Sequence, residues 1–471
     1  LIALTLDRIA EITQSRLSGS ARAAEIVNGP VVIDSRQARP GSLFVAFTGE
    51  HVDGHDFAGA AVEAGAVAVL ASRPVDVPHL LVDGGDEGVQ AALGRLARGV
   101  ADELPGTDVI GVTGSSGKTT TKDLLAQVLE HHGATVATQG SFNNEIGHPL
   151  TVLRADAATR FMVLEVGARG TGHISYLCSL APPRIGVVLN VGSAHVGEFG
   201  SREAIARAKG ELVEALPTAA DGGVAVLNAD DDAVIGMASR TKARVVSYGT
   251  GADADVRATG VELDGSGRAA FTLEIGGRGA RVRLALVGTH QVHNALAVAA
   301  VAAEAGMDID AIAAALGQAG PVSRWRMEID ELDDGITVVN DAYNANPESM
   351  SAALRTLRTL GEHRRSLAVL GQMAELGEER HRAEHEAIGR RAAETGVAGL
   401  VIVGSEAAPI ADGARSVPGW RGEIVQVPDA PAAAAALRER LRARDVVMLK
   451  GSRVAGLERV AELLKSGEDA K

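Results

Sequence analysis

Gly111-Val-Thr-Gly114-Ser115-Ser116-Gly117-Lys118-Thr119-Thr120 follows the apolar run that starts at Asp108 and opens an amphipathic stretch reaching about His132. Strand, glycine loop and helix in that order is the setting in which backbone amides curl around phosphate oxygens. Gly114, Ser115, Ser116 and Gly117 are expected to supply those amides, with Thr120 beside them. Lys118 would bring a point charge to the β- and γ-phosphates, and the Thr119 hydroxyl would reach a metal ion. Val112 stands where the general eight-residue pattern has glycine. The guanine-reading tetrad Asn-Lys-x-Asp is absent from the sequence, so ATP is the expected nucleotide.

Working outward, further apolar runs at 161–165, 185–190 and 224–228 alternate with helical stretches such as Ser201 to Leu216. Continuous apolar strands between helices predict a parallel sheet covered on both faces. Residues about 243–288 change to period-2 alternation with glycine-rich turns, which predicts an antiparallel β appendage. A helix at about 289–305 closes this unit. Before it, residues 1–104 read as a small α/β unit with strands at 31–34, 43–47 and 66–70. After it, strands at 336–340, 366–370, 399–403 and 446–450 separated by helices predict a Rossmann-like sheet without the glycine fingerprint. The fold class is therefore α/β in three domains, 1–104, 105–320 and 321–471, with Pro105-Gly106 and Pro321 at the joints.

The chain has 471 residues, and 46 Lys plus Arg against 60 Asp plus Glu leave a net charge of −14. Bulk attraction to nucleic acid or to an anionic membrane is excluded on that balance, so anionic ligands need local devices. The single cysteine, Cys178, excludes an intramolecular disulfide and a cysteine zinc cluster. It has no basic residue within three positions, which favours a structural role. Aromatic residues are 3% of the chain, so the cores must rest on Ala, Val, Leu and Ile. No apolar run is long enough for membrane insertion, and Leu1 to Asp7 lacks a basic-then-apolar signal pattern. A cytoplasmic, monomeric enzyme is expected.

Beyond the phosphate loop, several segments carry a resemblance. They are Asn143-Asn144-Glu-Ile-Gly-His-Pro149, Glu165-Val-Gly167, Asn190-Val-Gly-Ser-Ala-His195, Ala208-Lys209-Gly-Glu211 and His293-Asn294-Ala295. In the last third come Arg324-Trp-Arg-Met-Glu328, Asn340-Asp341-Ala-Tyr-Asn344-Ala-Asn346-Pro347, Leu370-Gly-Gln-Met373 and Leu449-Lys-Gly-Ser-Arg453. Together with Thr113-Gly-x-x-Gly-Lys-Thr119 they resemble the Mur ligase family, and among its branches the MurF type. Asp341 to Pro347 is the most specific run, and Ser141 departs from the family's Asn. The resemblance implies three domains, for UDP-sugar, for ATP, and for an incoming dipeptide. It implies ATP-dependent joining of D-alanyl-D-alanine to UDP-N-acetylmuramoyl-tripeptide through an acyl phosphate, with two Mg²⁺ ions. Sister ligases that add single amino acids, including folylpolyglutamate-type enzymes, are the nearest alternative. A P-loop ATPase switch is the alternative of a different class.

The residues then sort by chemistry. Glu165 ends an apolar strand, where a carboxylate suits Mg²⁺. The resemblance makes His195 a second metal ligand and Lys209 a carbamylated lysine holding metal. A lysine of ordinary pKa ~10.4 must be neutral to react with carbon dioxide, so its site has to depress it. Asn294 can read an adenine edge with its paired donor and acceptor. The resemblance assigns Arg324 to phosphates, Asp341 to the ribose, and Asn344 and Asn346 to the dipeptide side, with Asn143 and Asn144 as further substrate contacts. Ser35 and Arg36, after the strand ending at Asp34, suit a pyrophosphate. Lys450 and Arg453 would hold a carboxylate or cap a helix. Asp230-Asp-Asp232 reads as a helix cap rather than a metal site, and His51 and His55 as loop residues of the first domain. Completing the site requires domain closure, with a hinge at Gly320 to Ser323.

Overall fold

The computed structural model describes residues 1–49, 51–192 and 196–466. A five-stranded sheet in the order Arg16–Ser18, His79–Leu81, Ala66–Ala71, Ser42–Val45, Val31–Val32 forms the first unit. Only its first pair is antiparallel. The helix Gly85–Asp102 buries Val89, Leu93, Leu96 and Val100 in a cluster that also contains Val109, Leu153, Met162 and Leu164. The apolar core of the first unit thus runs on into the central sheet, which holds the two as one packed layer.

That central sheet has nine strands. From Thr135–Ala137 it proceeds through Phe161–Glu165, Asp108–Thr113, Ile185–Val188, Val224–Asn228 and Arg244–Gly249 to Val256–Leu263, all parallel. Arg268–Ile275 and Arg278–Val287 then extend it antiparallel. The expected appendage is therefore a continuation of the same sheet. The alternation is real, because one face of these strands packs inward while the other meets solvent, as along Arg278–Val287. The helices Lys118–Glu130 and His290–Glu304 cover the sheet, and Ala295 to Ala302 are all buried between them. Small side chains let the helices approach closely, which is how a core poor in aromatics is filled. The helix Ile309–Gln318, absent from the sequence expectation, packs on Arg278–Val287.

The third sheet has six strands, in the order Glu328–Glu331, Thr337–Asn340, Val446–Lys450, Ser366–Leu370, Gly399–Val403, Glu423–Val427. All pairs are parallel except the first. The two edge strands lie outside the sequence expectation: Glu328–Glu331 has one apolar residue among three acids, and Glu423–Val427 is a short run broken by Gln426. Between the second and third sheets, the Gln127 side-chain amide grips the linker. Its Oε1 accepts from the Gly320 N–H at 3.0 Å, and its Nε2 donates to the Gly320 carbonyl at 3.0 Å. Asp123, ion-paired with the buried Lys122, accepts from the Ser323 N–H at 3.2 Å. The carboxyl ends of both parallel sheets open onto one cleft, the position at which such sheets hold ligands.

Candidate active site

A cavity of about 1070 Å³ lies at these strand ends, lined by the phosphate loop, by Glu165 and Lys209, and by Arg326, Asp341, Asn344 and Glu375 from the third unit. Gly117, at φ 82°, is the turn that lets the loop enter the helix Lys118–Glu130. A Cβ there would lie 2.8 Å from Asn294 Oδ1, so the position admits only glycine beside that side chain. Asn294 itself is buried and donates to Gln291 Oε1 at 2.8 Å. Asn190, to which the sequence assigns no role, clamps the loop. It accepts from the Ser116 N–H at 2.9 Å and donates to the Ser116 carbonyl at 3.1 Å, while its own carbonyl accepts from the Ser115 N–H at 3.1 Å. A polar residue at the carboxyl end of a central strand was the available signal.

Lys118 Nζ donates to the Gly114 carbonyl at 2.8 Å. Burial lowers its pKa, the Arg326 charge adds to this, and Glu165 and Glu375 oppose it. Glu165 is buried at the end of Phe161–Glu165. Its Oε1 accepts from Asn143 Nδ2 at 2.7 Å, and its Oε2 has no hydrogen-bond partner among the described residues. Lys209, on the helix Arg202–Glu214, is 4% exposed and forms no ion pair or hydrogen bond among the described residues. Burial, reinforced by the Lys118 charge, holds its ammonium well below the ordinary lysine range. The perturbing site that the chemistry of Lys209 requires is thus present. His195 lies outside the described residues.

The third unit closes the cavity from the other side. Lys450 Nζ donates to Asp341 Oδ2 at 2.6 Å and to the Asn344 carbonyl at 3.0 Å, and Asp341 Oδ1 accepts from the Met327 N–H at 3.2 Å. Asn344 Nδ2 donates to Glu375 Oε1 at 3.1 Å. Asn346 caps the helix Pro347–Leu360 in a reciprocal box with Ser349, and its Nδ2 reaches the Ser115 carbonyl at 3.4 Å. Asn144 likewise serves backbone, accepting from the Gly147 N–H at 2.8 Å.

Several sequence expectations shift. The arginine against the phosphate loop is Arg326, whose guanidinium donates to Thr119 Oγ1 at 3.1 Å and lies 4.1 Å from the Tyr343 ring centre. Arg324 instead lines a neighbouring cavity of about 500 Å³ and packs on Trp325. Arg453 stacks on Trp325 and pairs with Glu458 at 2.9 Å. In Asp230-Asp-Asp232 the cap of the next helix is Asp231, while Asp230 accepts from Thr250 and pairs with His293 at 2.8 Å. Ser35 and Arg36 are not among the residues lining this cavity. Arg36 is exposed and turned back onto Asp34 at 2.8 Å. His55 is buried between Asp53 and Ser72. Cys178 is buried too, and its thiol is pushed up to about 12, which makes it inert.

A divalent cation fits this donor set. The partnerless Glu165 oxygen, the Thr119 hydroxyl and Lys209 line the same cavity. Among the described residues no group of three His, Cys, Asp or Glu could hold a metal by itself.

Three family models match the chain: the Mur ligase family catalytic domain at 30–98, the Mur ligase middle domain at 112–302, and the Mur ligase glutamate ligase domain at 325–453. The UDP-N-acetylmuramoyl-tripeptide–D-alanyl-D-alanine ligase of Mycobacterium tuberculosis (strain ATCC 25618 / H37Rv) is 48% identical, with 98% of each chain covered. The crystal structure of MurF from Acinetobacter baumannii superposes with a TM-score of 0.86 at 29% identity, covering 99% of both chains. MurF ligase from Thermotoga maritima in complex with ADP gives a TM-score of 0.79 at 31% identity, over 93% of this chain and 98% of that one. With its phosphate loop, buried acid and buried lysine in the cleft between two parallel sheets, the chain belongs to the Mur ligase family.

Proposed function

We infer that the chain is an ATP-dependent ligase joining D-alanyl-D-alanine to UDP-N-acetylmuramoyl-tripeptide, a carboxylate–amine ligation of peptidoglycan precursor synthesis. The observation that carries this reading is the meeting of Lys118, Glu165 and the pKa-depressed Lys209 with the Asp341 to Asn346 segment in one cavity. Residues 1–104 are assigned to the UDP-sugar through Ser35 and Arg36, 105–320 to ATP, and 321–471 to the dipeptide. The enzyme works as a cytoplasmic monomer, where ATP is available. No helix among the described residues is long and apolar enough to cross a membrane.

In this mechanism the amides of Gly114 to Gly117 wrap the phosphates, and Lys118 exchanges the Gly114 carbonyl for a phosphate oxygen. Asn294 takes the adenine edge and Asp341 the ribose. Arg326, rather than Arg324, supplies the third unit's charge to the phosphates. Thr119, Glu165, His195 and the carbamate of Lys209 would hold Mg²⁺, two ions in all, which when bound neutralises charge on the transferring phosphoryl group. Asn143 keeps Glu165 oriented, and Asn144 sets the turn that carries Asn143. The tripeptide carboxylate attacks the γ-phosphorus, releasing ADP and leaving an acyl phosphate. The dipeptide amine then attacks the acyl carbon, and phosphate leaves. The Lys209 amine lone pair takes up carbon dioxide with loss of one proton, a step open only to the neutral form that burial favours.

Phosphate release measured with each substrate omitted in turn tests the reading. Sustained release needs ATP, UDP-tripeptide and D-alanyl-D-alanine together. Release that ignores the dipeptide would favour an ATPase switch, and a preference for a single amino acid would favour a sister ligase.

A further inference from the structure

We propose that Glu375 receives the ammonium group of the incoming dipeptide, an assignment that rests on the ligase reading above. A dipeptide arrives as a zwitterion, and its nitrogen must come to rest beside the acyl carbon, next to the transferred phosphoryl group. Lys118 marks that place, and the Arg326 guanidinium lines the same cavity. An ammonium entering so cationic a corner is repelled unless a fixed anion is set to meet it.

Glu375 is such an anion. It is half-buried, it lines the cavity, and its charge acts on the Lys118 ammonium alongside that of Glu165. Its orientation is set from several directions. Asn344 Nδ2 donates to Oε1 at 3.1 Å, and the Asn344 carbonyl is itself held by Lys450 at 3.0 Å. The two residues before it are pinned through backbone: the Met373 N–H donates to His385 Nε2 at 3.0 Å, and the Ala374 N–H to Ser452 Oγ at 2.9 Å. Further carboxylates line the cavity beside it. Asp341 pairs with Lys450, Asp230 with His293 and Thr250, and Asp231 caps a helix. Glu165 is held by Asn143. The position also gives Asn344 a purpose, since its amide is spent on aiming Glu375 and leaves recognition of the dipeptide nitrogen to the carboxylate.

The test compares two nucleophiles on full-length enzyme with ATP and UDP-tripeptide. D-alanyl-D-alanine carries an ammonium, whereas hydroxylamine is largely uncharged at neutral pH and traps the acyl phosphate as a hydroxamate. For Glu375→Gln, kcat/KM for the dipeptide should fall about 100-fold, the scale for truncating one partner of a buried charge pair. Its hydroxamate formation should stay within threefold of the wild type, and Glu375→Asp should recover part of the dipeptide activity. Dipeptide kcat/KM for Glu375→Gln within threefold of wild type would overturn the assignment. So would an equal loss with hydroxylamine, which would place the defect in acyl-phosphate formation. Absence of hydroxamate from the wild type would instead overturn the ligase reading, and the assignment with it.

Discussion

The central-unit wall of the cavity is built on backbone, and the third-unit wall on side chains. On one side the phosphate loop hangs between a buried strand and a helix, with Asn190 tying its amide and carbonyl groups. On the other side Asp341, Asn344, Glu375 and Arg326 are positioned by Lys450, by each other, and by stacking on Tyr343. A backbone-built wall tolerates exchange of side chains around it. A side-chain network fails when one member is removed, because the others are left buried and unpaired. Lys209 is the exception on the central side, a buried amine with no counter-charge among the described residues.

That exception gives the largest expected effect. Lys209→Ala should lose activity by about 1000-fold, the scale for removing a charge-stabilising group from a reaction centre. Short carboxylic acids added to the assay should restore part of it, and full activity of the bare variant would remove the carbamate from the mechanism. Next, Lys450→Met should destabilise the third unit by about 2 kcal/mol, since the half-buried Asp341 loses its charged partner. The double variant with Asp341→Asn should recover much of that in denaturant titrations. Equal losses in the single and double variants would show that the pair does not hold this wall.

A smaller effect appears on acidification. Burial pushes the His385 imidazole down to about 4 from an ordinary 6.5, and its neutral Nε2 accepts from the Met373 N–H that supports the Glu375 loop. Between those pH values the unfolded chain binds a proton that the folded chain does not. The stability tied to His385 is therefore complete above pH 6.5 and drains as the pH falls towards 4. Urea midpoints across this range should fall less steeply for His385→Gln than for the wild type. His148 and His290 are also held near 4, so the slope flattens without vanishing. An unchanged slope would separate His385 from acid sensitivity. The smallest change is expected for Asn346→Ala, at about 1 kcal/mol, the cost of a helix N-cap, read by thermal unfolding. A loss several times larger would mean that its contact with the Ser115 carbonyl ties the two walls together more strongly than the cap does.

The same division governs how much was legible. The phosphate loop, its flanking strand and helix, and Glu165 at a strand end all follow from local pattern, because glycine spacing and apolar runs act over a few residues. The edge strands Glu328–Glu331 and Glu423–Val427 were not legible, since an edge strand is only partly buried and its few apolar residues are interrupted by polar ones. The choice between Arg324 and Arg326 was equally hidden. Two arginines two positions apart diverge by the course of the backbone, here through positive φ values at Trp325 and Met327, which the residue types do not announce.

By itself the sequence determined the three-part α/β order, the nucleotide loop, the family and the anionic chemistry that a net charge of −14 leaves to local cations. Only the tertiary structure decided which groups are charged and which are spent. Burial of Lys209, which disfavours its charged form, is visible only in the folded chain. Asn144 and Asn346 are ligand candidates by motif, while by geometry Asn144 holds a backbone turn and Asn346 caps a helix. The reason is physical: desolvation and hydrogen-bond competition depend on every group packed around an atom, and most of those groups arrive from distant parts of the chain.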